Sequence, residues 1–311
     1  MADTIRGVST TRRSGLRATR LGVAGVLVPV AGWSFANTIP KILDVPATTF
    51  SFWRLWLGAG LMLAVLGVTG RRPSRADIRA SIPGGILFGL NLVLFFSAIK
   101  ATSIADVLVI GALQPALVLL VAGRLFGEHV DRAELAWIAV SVLGVVVFVL
   151  GSSTTPAWSL YGDLLAVASL VVWTTYFVVS KQVRRRVLAV EYMTTVTVVA
   201  AVVVTPVALL SGNSLGGLTR YDWAMLLLFL AAAQVGHVML AWAHEHVDVT
   251  LSSMLILAQP VLTAVAGLVV LGEPILPLEI VGGAIAIGAL VAVVRRATAE
   301  GQEIPPETAP E

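Results

Sequence analysis

Long apolar stretches, separated by short charged segments, recur along the whole 311-residue chain. Each is close to the roughly 20 residues that a helix needs to cross the hydrocarbon core of a bilayer. They are too long for the strands of a membrane barrel, which have about ten residues and alternate in polarity. Charged residues make up only 13% of the chain, against about 25% in an average soluble domain. The sequence therefore predicts an all-α, polytopic membrane protein.

The sequence contains ten such stretches, so we predict ten transmembrane helices. They lie at about 21–40, 47–69, 82–99, 102–123, 134–151, 161–180, 188–210, 223–243, 249–270 and 276–294. Short loops fill most of the remainder, which leaves no room for a sizeable domain outside the membrane. Residues 1–20 are predicted to form a basic cytoplasmic segment. Residues 296–311, with several glutamates and prolines and no apolar face, are predicted to form a disordered cytoplasmic tail.

The positive charges are distributed unevenly between the two sides of the predicted spans. Of the 21 Lys and Arg residues, 17 fall on the side of the two termini and three on the other side, while Arg54 lies within a span. Cytoplasmic loops are enriched in Lys and Arg. We therefore expect a multi-pass protein of the cytoplasmic (inner) membrane with both termini in the cytoplasm. The basic residues are accounted for by their role in setting the orientation of the protein in the membrane, so we expect no nucleic-acid partner.

The chain contains an internal repeat. The segment Ala112–Pro115 (ALQP) returns 145 residues later as Leu257–Pro260 (LAQP). Trp33 and Trp173 are a second matched pair, 140 residues apart, and a net insertion of five residues explains the two offsets. We therefore predict two five-helix repeats, at residues 21–151 and 161–295.

The number of helices in each repeat determines their relative orientation. Five is odd, so the two copies must insert with opposite orientation. Inverted repeats of this kind place a binding site near the middle of the membrane, between the halves, and permit alternating access.

A set of residues recurs along the chain in a characteristic order and spacing: Trp33, Arg54, Ala98–Pro115, Phe126-Gly127-Glu128, Trp173, Ala243–Pro260 and Leu271-Gly272-Glu273-Pro274. Through this pattern, over about residues 20–295, the chain resembles the EamA-type, ten-helix members of the drug/metabolite transporter superfamily. The resemblance implies a transporter of small metabolites or drugs, often an exporter of amino acids. It also implies a central cavity lined by the first, third, fourth, sixth, eighth and ninth helices.

Aromatic and polar residues form one stripe on each of two matched helices. Trp33 and Asn37 share a face of the first helix, and Trp173 and Tyr176 share a face of the sixth. We interpret these four residues as lining a cavity that stacks against and hydrogen-bonds a metabolite. The alternative is that the tryptophans pack against neighbouring helices. Lys41 and Lys181, at the ends of these stripes, are predicted to reach the membrane surfaces.

Four further polar residues within the spans are candidate ligands for the substrate. Gln114 and Gln259 precede prolines that interrupt helix hydrogen bonding, and Asn91 lies in the third span. These amides could equally hydrogen-bond a neighbouring helix. His237, deep in the eighth span, is a candidate carrier of a coupling proton, with a neutral structural histidine as the alternative.

Other polar or small residues are given structural roles. Arg54 is interpreted as a snorkelling or paired arginine near the outer end of the second helix. His244-Glu245-His246 lacks the four-residue spacing of a helical zinc motif and is interpreted as a solvated helix end. We expect close helix packing at a set of glycines: Gly85, Gly89, Gly282, Gly283 and Gly288.

These observations predict a secondary transporter, and not an enzyme, that uses no cofactor or metal. Its predicted partners are a small-molecule substrate and the lipid bilayer. Protons are a candidate coupling ion, and a homodimer is a candidate oligomeric state. The substrate is expected to be an exported amino acid, a related compound or a drug. The alternatives are a membrane-embedded enzyme, for which the spans offer only Asp106 and Asp163 near their ends, and a scaffold that transports nothing.

The predicted topology can be checked with single cysteines, because the chain has none of its own. Cysteines at Arg72 and Arg185 should be cytoplasmic, and a cysteine at Ser153 should be external. A membrane-impermeant maleimide added to intact cells should therefore label only the Ser153 position. External labelling at Arg185 would contradict the ten-span arrangement.

Overall fold

The computed structural model of the protein describes residues 21–36, 38–102, 107, 110–127, 132–151, 159–272 and 275–300. All regular secondary structure in these ranges is helical. The helices are α1 (Leu21–Ala36), α2 (Ile39–Ile42), α3 (Ala47–Val68), α4 (Arg75–Ala101), α5 (Gln114–Phe126), α6 (Arg132–Gly151), α7 (Leu160–Arg184), α8 (Ala189–Leu210), α9 (Arg220–Ala243), α10 (Val249–Ile256), α11 (Gln259–Leu271) and α12 (Pro277–Glu300).

Within the described ranges, seven helical segments are long and apolar enough to cross a membrane. They are α3, most of α4, α7, α8, α9, the α10–α11 pair and most of α12. Two shorter apolar helices, Leu21–Ala36 and Leu135–Gly151, lie at the first and fifth predicted spans. The chain is thus an all-helical, multi-pass membrane protein. The fourth predicted span lies partly outside the described residues, and the count of ten and the inverted orientation of the repeats stay predictions.

The outer surface of the bundle is apolar, as a lipid-facing surface must be. Leu143, Leu150, Val269 and Ile280, for example, are each more than 60% exposed. The largest buried cluster instead lies between the helices, and it combines residues of α1, α3 and α4 with residues of α7 to α10 and α12. The core is therefore shared by the two halves of the chain.

A proline interrupts the ninth predicted span. α10 ends at Ile256, and α11 begins at Gln259 with Pro260 in its first turn. Because proline has no N–H and its ring clashes with the preceding turn, the helix cannot run straight through this point. Near this point the Ser34 hydroxyl of α1 donates to the Val30 carbonyl of its own helix at 2.7 Å and lies 3.3 Å from the Gln259 carbonyl. Pro115 takes the matching place at the second residue of α5.

Glycines permit close contact between α6 and α12. A Cβ placed on Gly282 would overlap the backbone nitrogen of Phe148, and one on Gly144 would lie 2.5 Å from the backbone nitrogen of Ala286. Gly85 and Gly89 similarly face residues of α8. These positions agree with the predicted close packing. Gly288 does not fit the prediction within the described part of the chain, because no atom of those residues lies within 4 Å of a Cβ placed on it.

The α6–α12 contact predicts opposite effects for two substitutions in the same helix. Gly282→Ala should lower the stability of the purified protein, because backbone atoms of α6 must move to admit the methyl group. Gly288→Ala should leave stability unchanged or raise it by less than about 1 kcal/mol, since alanine favours helix more than glycine does. Thermal unfolding in detergent measures both. Equal melting temperatures for the two variants would contradict the packing described.

Candidate functional site

A buried pair of polar side chains joins α3 to α9. The Nη2 atom of Arg54 lies 3.0 Å from Nε2 of His237, and each residue is only 7% exposed. A guanidinium can only donate hydrogen bonds, so the imidazole must accept at Nε2. A neutral ring then carries its proton on Nδ1. That buried Nδ1 atom has no hydrogen-bond partner among the described residues.

Aromatic rings enclose this pair. The Trp33 ring centre lies 4.7 Å from that of His237, and the Phe88 ring meets the imidazole edge-to-face at 4.8 Å. The Arg54 guanidinium lies over the Phe229 ring, at 5.0 Å from its centre. The negative face of an aromatic ring stabilises a cation, more strongly where water is excluded. The enclosure therefore keeps the arginine charge away from lipid.

The rings continue into the second half of the chain. Phe88 of α4 contacts Tyr176 of α7 with ring centres 5.5 Å apart, and Tyr176 stacks on Trp173 at 5.1 Å. We call Trp33, Phe88, Trp173, Tyr176 and His237 the aromatic cluster. The cluster brings together four residues that were predicted from the sequence to bind the substrate. They come from the stripes of the first and sixth predicted spans and from the eighth span. Phe88 is the connecting residue.

Two residues of the aromatic cluster also make ordinary packing contacts. The Trp33 Nε1 atom donates to the Ala233 carbonyl at 3.3 Å, and the indole lies directly against Gly236. The Tyr176 hydroxyl contacts the sulfur of Met193 at 3.7 Å. Only Trp173 is half-buried, while Trp33 and Tyr176 are almost fully covered.

The nominated amides have other surroundings. Asn91 donates from Nδ2 to the hydroxyl and the carbonyl of Ser169, at 2.9 and 3.1 Å, and so joins α4 to α7. Gln114 is buried, and its Nε2 atom has no partner among the described residues. Gln259 is half-buried at the start of α11. Asn37 lies outside the described residues.

The residues that sequence reasoning missed are those that complete the buried pair. Arg54 was predicted to be either snorkelling or paired. It is paired with His237 and buried against α9, so it does not snorkel. Phe88 and Phe229 carry no signal that separates them from lipid-facing phenylalanines. Gln234, one turn before His237, donates to the Thr197 hydroxyl of α8 at 3.2 Å and is buried with it.

A second polar group lies where α7 and α9 end, and it overturns two predictions. Lys181 does not reach the membrane surface; it is buried and donates to the Val247 carbonyl at 2.5 Å. The side chain of Lys41 lies outside the described part of the chain. His244 is only 1% exposed and lies 2.9 Å from the Ser180 hydroxyl, so it is not part of a solvated helix end.

Charge is compensated in this second group. The Arg184 guanidinium donates to the carboxylate of the exposed Glu245 at 2.6 Å, while its Nε atom donates to the Ala241 carbonyl. Burial and the neighbouring charges of Lys181 and Arg184 lower the pKa of His244 to about 3. The described residues contain no group of three His, Cys, Asp or Glu that could hold a metal ion.

Comparison with known proteins gives a consistent result. The sequence profile of the EamA-like transporter family matches residues 20–150 and 160–295. A protein of Pseudomonas aeruginosa named pseudopaline exporter CntI is 26% identical over 277 residues, which cover 88% of this chain and 96% of that protein. A probable terminal-alkyne amino-acid exporter of Streptantibioticus cattleyicolor is 24% identical over 299 residues, or 93% of this chain and 86% of that one.

The fold also matches a solved structure. A protein crystal structure aligns with a TM-score of 0.72 and 21% identity, and it covers 91% of this chain and 98% of that one. At this level of identity the likeness concerns the fold alone.

The buried His244 predicts acid sensitivity. Because its folded pKa lies below the ordinary value near 6.5, the folded state binds fewer protons than the unfolded state between about pH 3 and 6.5. Stability should therefore be full above pH 6.5 and should fall by about 1–2 kcal/mol on acidification to pH 5. Thermal unfolding of the purified protein from pH 7.5 to 5 measures this loss.

Matched variants separate the effect of His244 protonation on stability from other effects of acid. His244→Gln should reduce the loss of stability, because glutamine cannot titrate. His246→Gln should retain it, since His246 is only half-buried and lies on the Trp242 ring. If wild type and His244→Gln lose stability in parallel, His244 is not the source.

Proposed function

Because the chain belongs to the EamA-like transporter family, we propose that it exports a small polar metabolite across the cytoplasmic membrane, through a central cavity between its two halves. The chain is a small-molecule membrane transporter, like the relatives named as exporters. The observation that carries the proposal is the buried Arg54–His237 pair, enclosed by aromatic rings from both halves. Amino acids and related compounds are the proposed substrates, since one relative is a probable amino-acid exporter.

The aromatic cluster supplies chemistry suited to such a substrate. Trp33, Trp173 and Tyr176 offer ring faces for its apolar part, and the His237 Nδ1–H offers a donor for its polar part. Gln114 offers a second unpaired donor. We retain Asn37, Asn91 and Gln259 as proposed ligands; Asn91 would first have to release Ser169.

Movement of the solute is proposed to follow alternating access between two inverted repeats, residues 21–151 and 161–295. The helix break at Pro260 and the matching Pro115 support this proposal, because interrupted helices are where transporters of this kind bind solutes and move. The sequence has no nucleotide-binding loop. The proposed source of energy is therefore a gradient of the solute or of an ion.

Protons are one proposed coupling ion, with His237 as their carrier. Protonation at Nε2 would remove the acceptor that Arg54 uses and would place two positive charges side by side. Proton binding would therefore separate α3 from α9 at this point. In the enclosure shown, Nε2 is occupied by the hydrogen bond from Arg54, so a proton can take that place only as the two side chains separate.

An enzymatic function has less support. Of the two carboxylates near the predicted spans, Asp163 accepts a hydrogen bond from the Thr102 hydroxyl at 2.8 Å, and Asp106 lies outside the described residues. The relatives compared are named as exporters. Flux distinguishes a transporter from a scaffold: purified protein in liposomes should move a labelled solute from an amino-acid and drug panel, and empty liposomes should not.

The double substitution Trp33→Ala, Trp173→Ala should lower this flux at least about tenfold, because two stacking faces are lost. Trp56→Ala is the matched control, since that ring is 40% exposed on the outside of α3 and bonds only Thr205 among the described residues. Size-exclusion profiles must match wild type, because a truncated tryptophan also leaves a void. Unchanged flux in the double variant would assign both tryptophans to packing.

A further inference from the structure

Arg54 has no negative partner among the described residues. No carboxylate of those residues lies within 4 Å of its guanidinium, whose neighbours are a histidine and a phenylalanine ring. The contrast with Arg184 is direct, because that buried arginine has Glu245 at 2.6 Å. A charge held within the membrane without a counter-charge costs several kcal/mol and is a mark of function. A bound anion would supply the negative charge that the described residues do not.

His237 supplies a second, independent observation. Its side chain is more than nine-tenths buried, and Nδ1 has no partner among the described residues. The bond from Arg54 to Nε2 puts the ring proton on Nδ1, so this atom is a donor without an acceptor. A buried donor left unpaired costs about 1–3 kcal/mol. Among the described residues, His237 thus lacks an acceptor at Nδ1 and Arg54 lacks a counter-charge, and an anionic solute would bring both.

The charge of the Arg54–His237 pair and the rings around it indicate which kind of anion could bind. The pair carries one positive charge and is enclosed by Trp33, Phe88 and Phe229, so a solute with one negative charge and an apolar body matches it. A phosphate, with up to two charges, would remain half uncompensated. The planar guanidinium fork fits the two oxygens of a carboxylate.

We propose that Arg54 is the binding site for the carboxylate of the transported solute and that His237 holds the guanidinium in place. This inference rests on the proposed transport function and specifies its substrate class: small monocarboxylates or amino acids with an apolar side chain. Arg54 is the specificity-determining residue. His237 acts through Arg54 as a positioning residue, and its free Nδ1–H can donate to an oxygen of the same carboxylate.

A cavity lies between this pair and the predicted external side of the membrane. It has a volume of about 110 Å³, and its polar lining comes from Thr48, Ser51, Ser97 and Asn213. Ser51 lies one turn from Arg54 along α3. Phe96, which also lines the cavity, contacts Phe50, and Phe50 packs edge-to-face on the Phe229 ring beneath the guanidinium at 4.9 Å. These phenylalanines separate the cavity from the proposed carboxylate site.

The test compares acids with their amides in liposomes that contain the full chain. The probes are labelled L-leucine, L-methionine and L-phenylalanine, their carboxamides, and ethidium as a cationic drug. Wild type should move at least one acid about tenfold or more faster than its amide, since charge-assisted bidentate bonds are lost in the amide. Arg54→Gln should remove this preference. Arg54→Lys, which keeps the charge but not the fork, should retain part of it.

Controls keep a folding defect apart from a loss of recognition. Arg220→Gln removes an exposed arginine at the start of α9 and should leave the preference unchanged. If Arg54→Gln does not yield a monodisperse protein, Arg54→Lys becomes the deciding variant. An acid preference as large as that of wild type in Arg54→Lys would overturn the proposed bidentate binding of the carboxylate by the guanidinium.

The outcomes separate this inference from the transport function on which it rests. Flux of amides or ethidium without flux of acids would overturn the carboxylate site and leave the transporter in place. An acid preference that survives in Arg54→Gln would also overturn it. Absence of all flux would overturn both proposals.

Discussion

The hydrogen bond between Arg54 and His237 is the interaction on which the rest of the site depends. A bilayer interior has no water to solvate a guanidinium, so the protein must supply every favourable contact. It does so with an acceptor nitrogen and an aromatic face at Phe229. Both come from α9, so the charge on α3 fixes where these helices meet. Trp33 and Phe88 then pack on the imidazole that the bond has oriented.

The two polar groups of the bundle stabilise buried positive charge in different ways. Where α7 and α9 end, Arg184 is neutralised by Glu245, Lys181 is held by the Val247 carbonyl, and His244 is kept neutral. In the interior, Arg54 and His237 are joined to each other, and His237 keeps a free donor among the described residues. In the first arrangement the cations of Arg184 and Lys181 each have a partner within the chain, which is typical of a structural contact, although the buried Nε2 atom of His244 has none among the described residues. In the second, no carboxylate of the described residues lies within 4 Å of Arg54, and the proposed solute would supply the missing acceptor.

The fold could be predicted largely from the sequence, because span length and apolar content follow directly from bilayer thickness. The interruption at Pro260 was equally accessible, since proline acts on its own helix. Helical spacing placed Trp173 beside Tyr176. Spacing on one helix, however, says nothing about which face of another helix lies opposite. The Arg54–His237 pair, the linking role of Phe88 and the burial of His244 all depend on such contacts between helices, and they required the structure.

The state of the His237 ring tests this account most directly. Nitrogen-15 NMR of the protein in lipid, labelled at its four histidines, distinguishes the tautomers of each imidazole. The His237→Gln spectrum identifies the relevant signals. The account predicts a neutral ring at pH 7, protonated at Nδ1 and accepting a hydrogen bond at Nε2, with the Nδ1 signal shifting when a transported carboxylate binds. A ring protonated at Nε2 before any solute binds would contradict it, because Arg54 could not then be its partner.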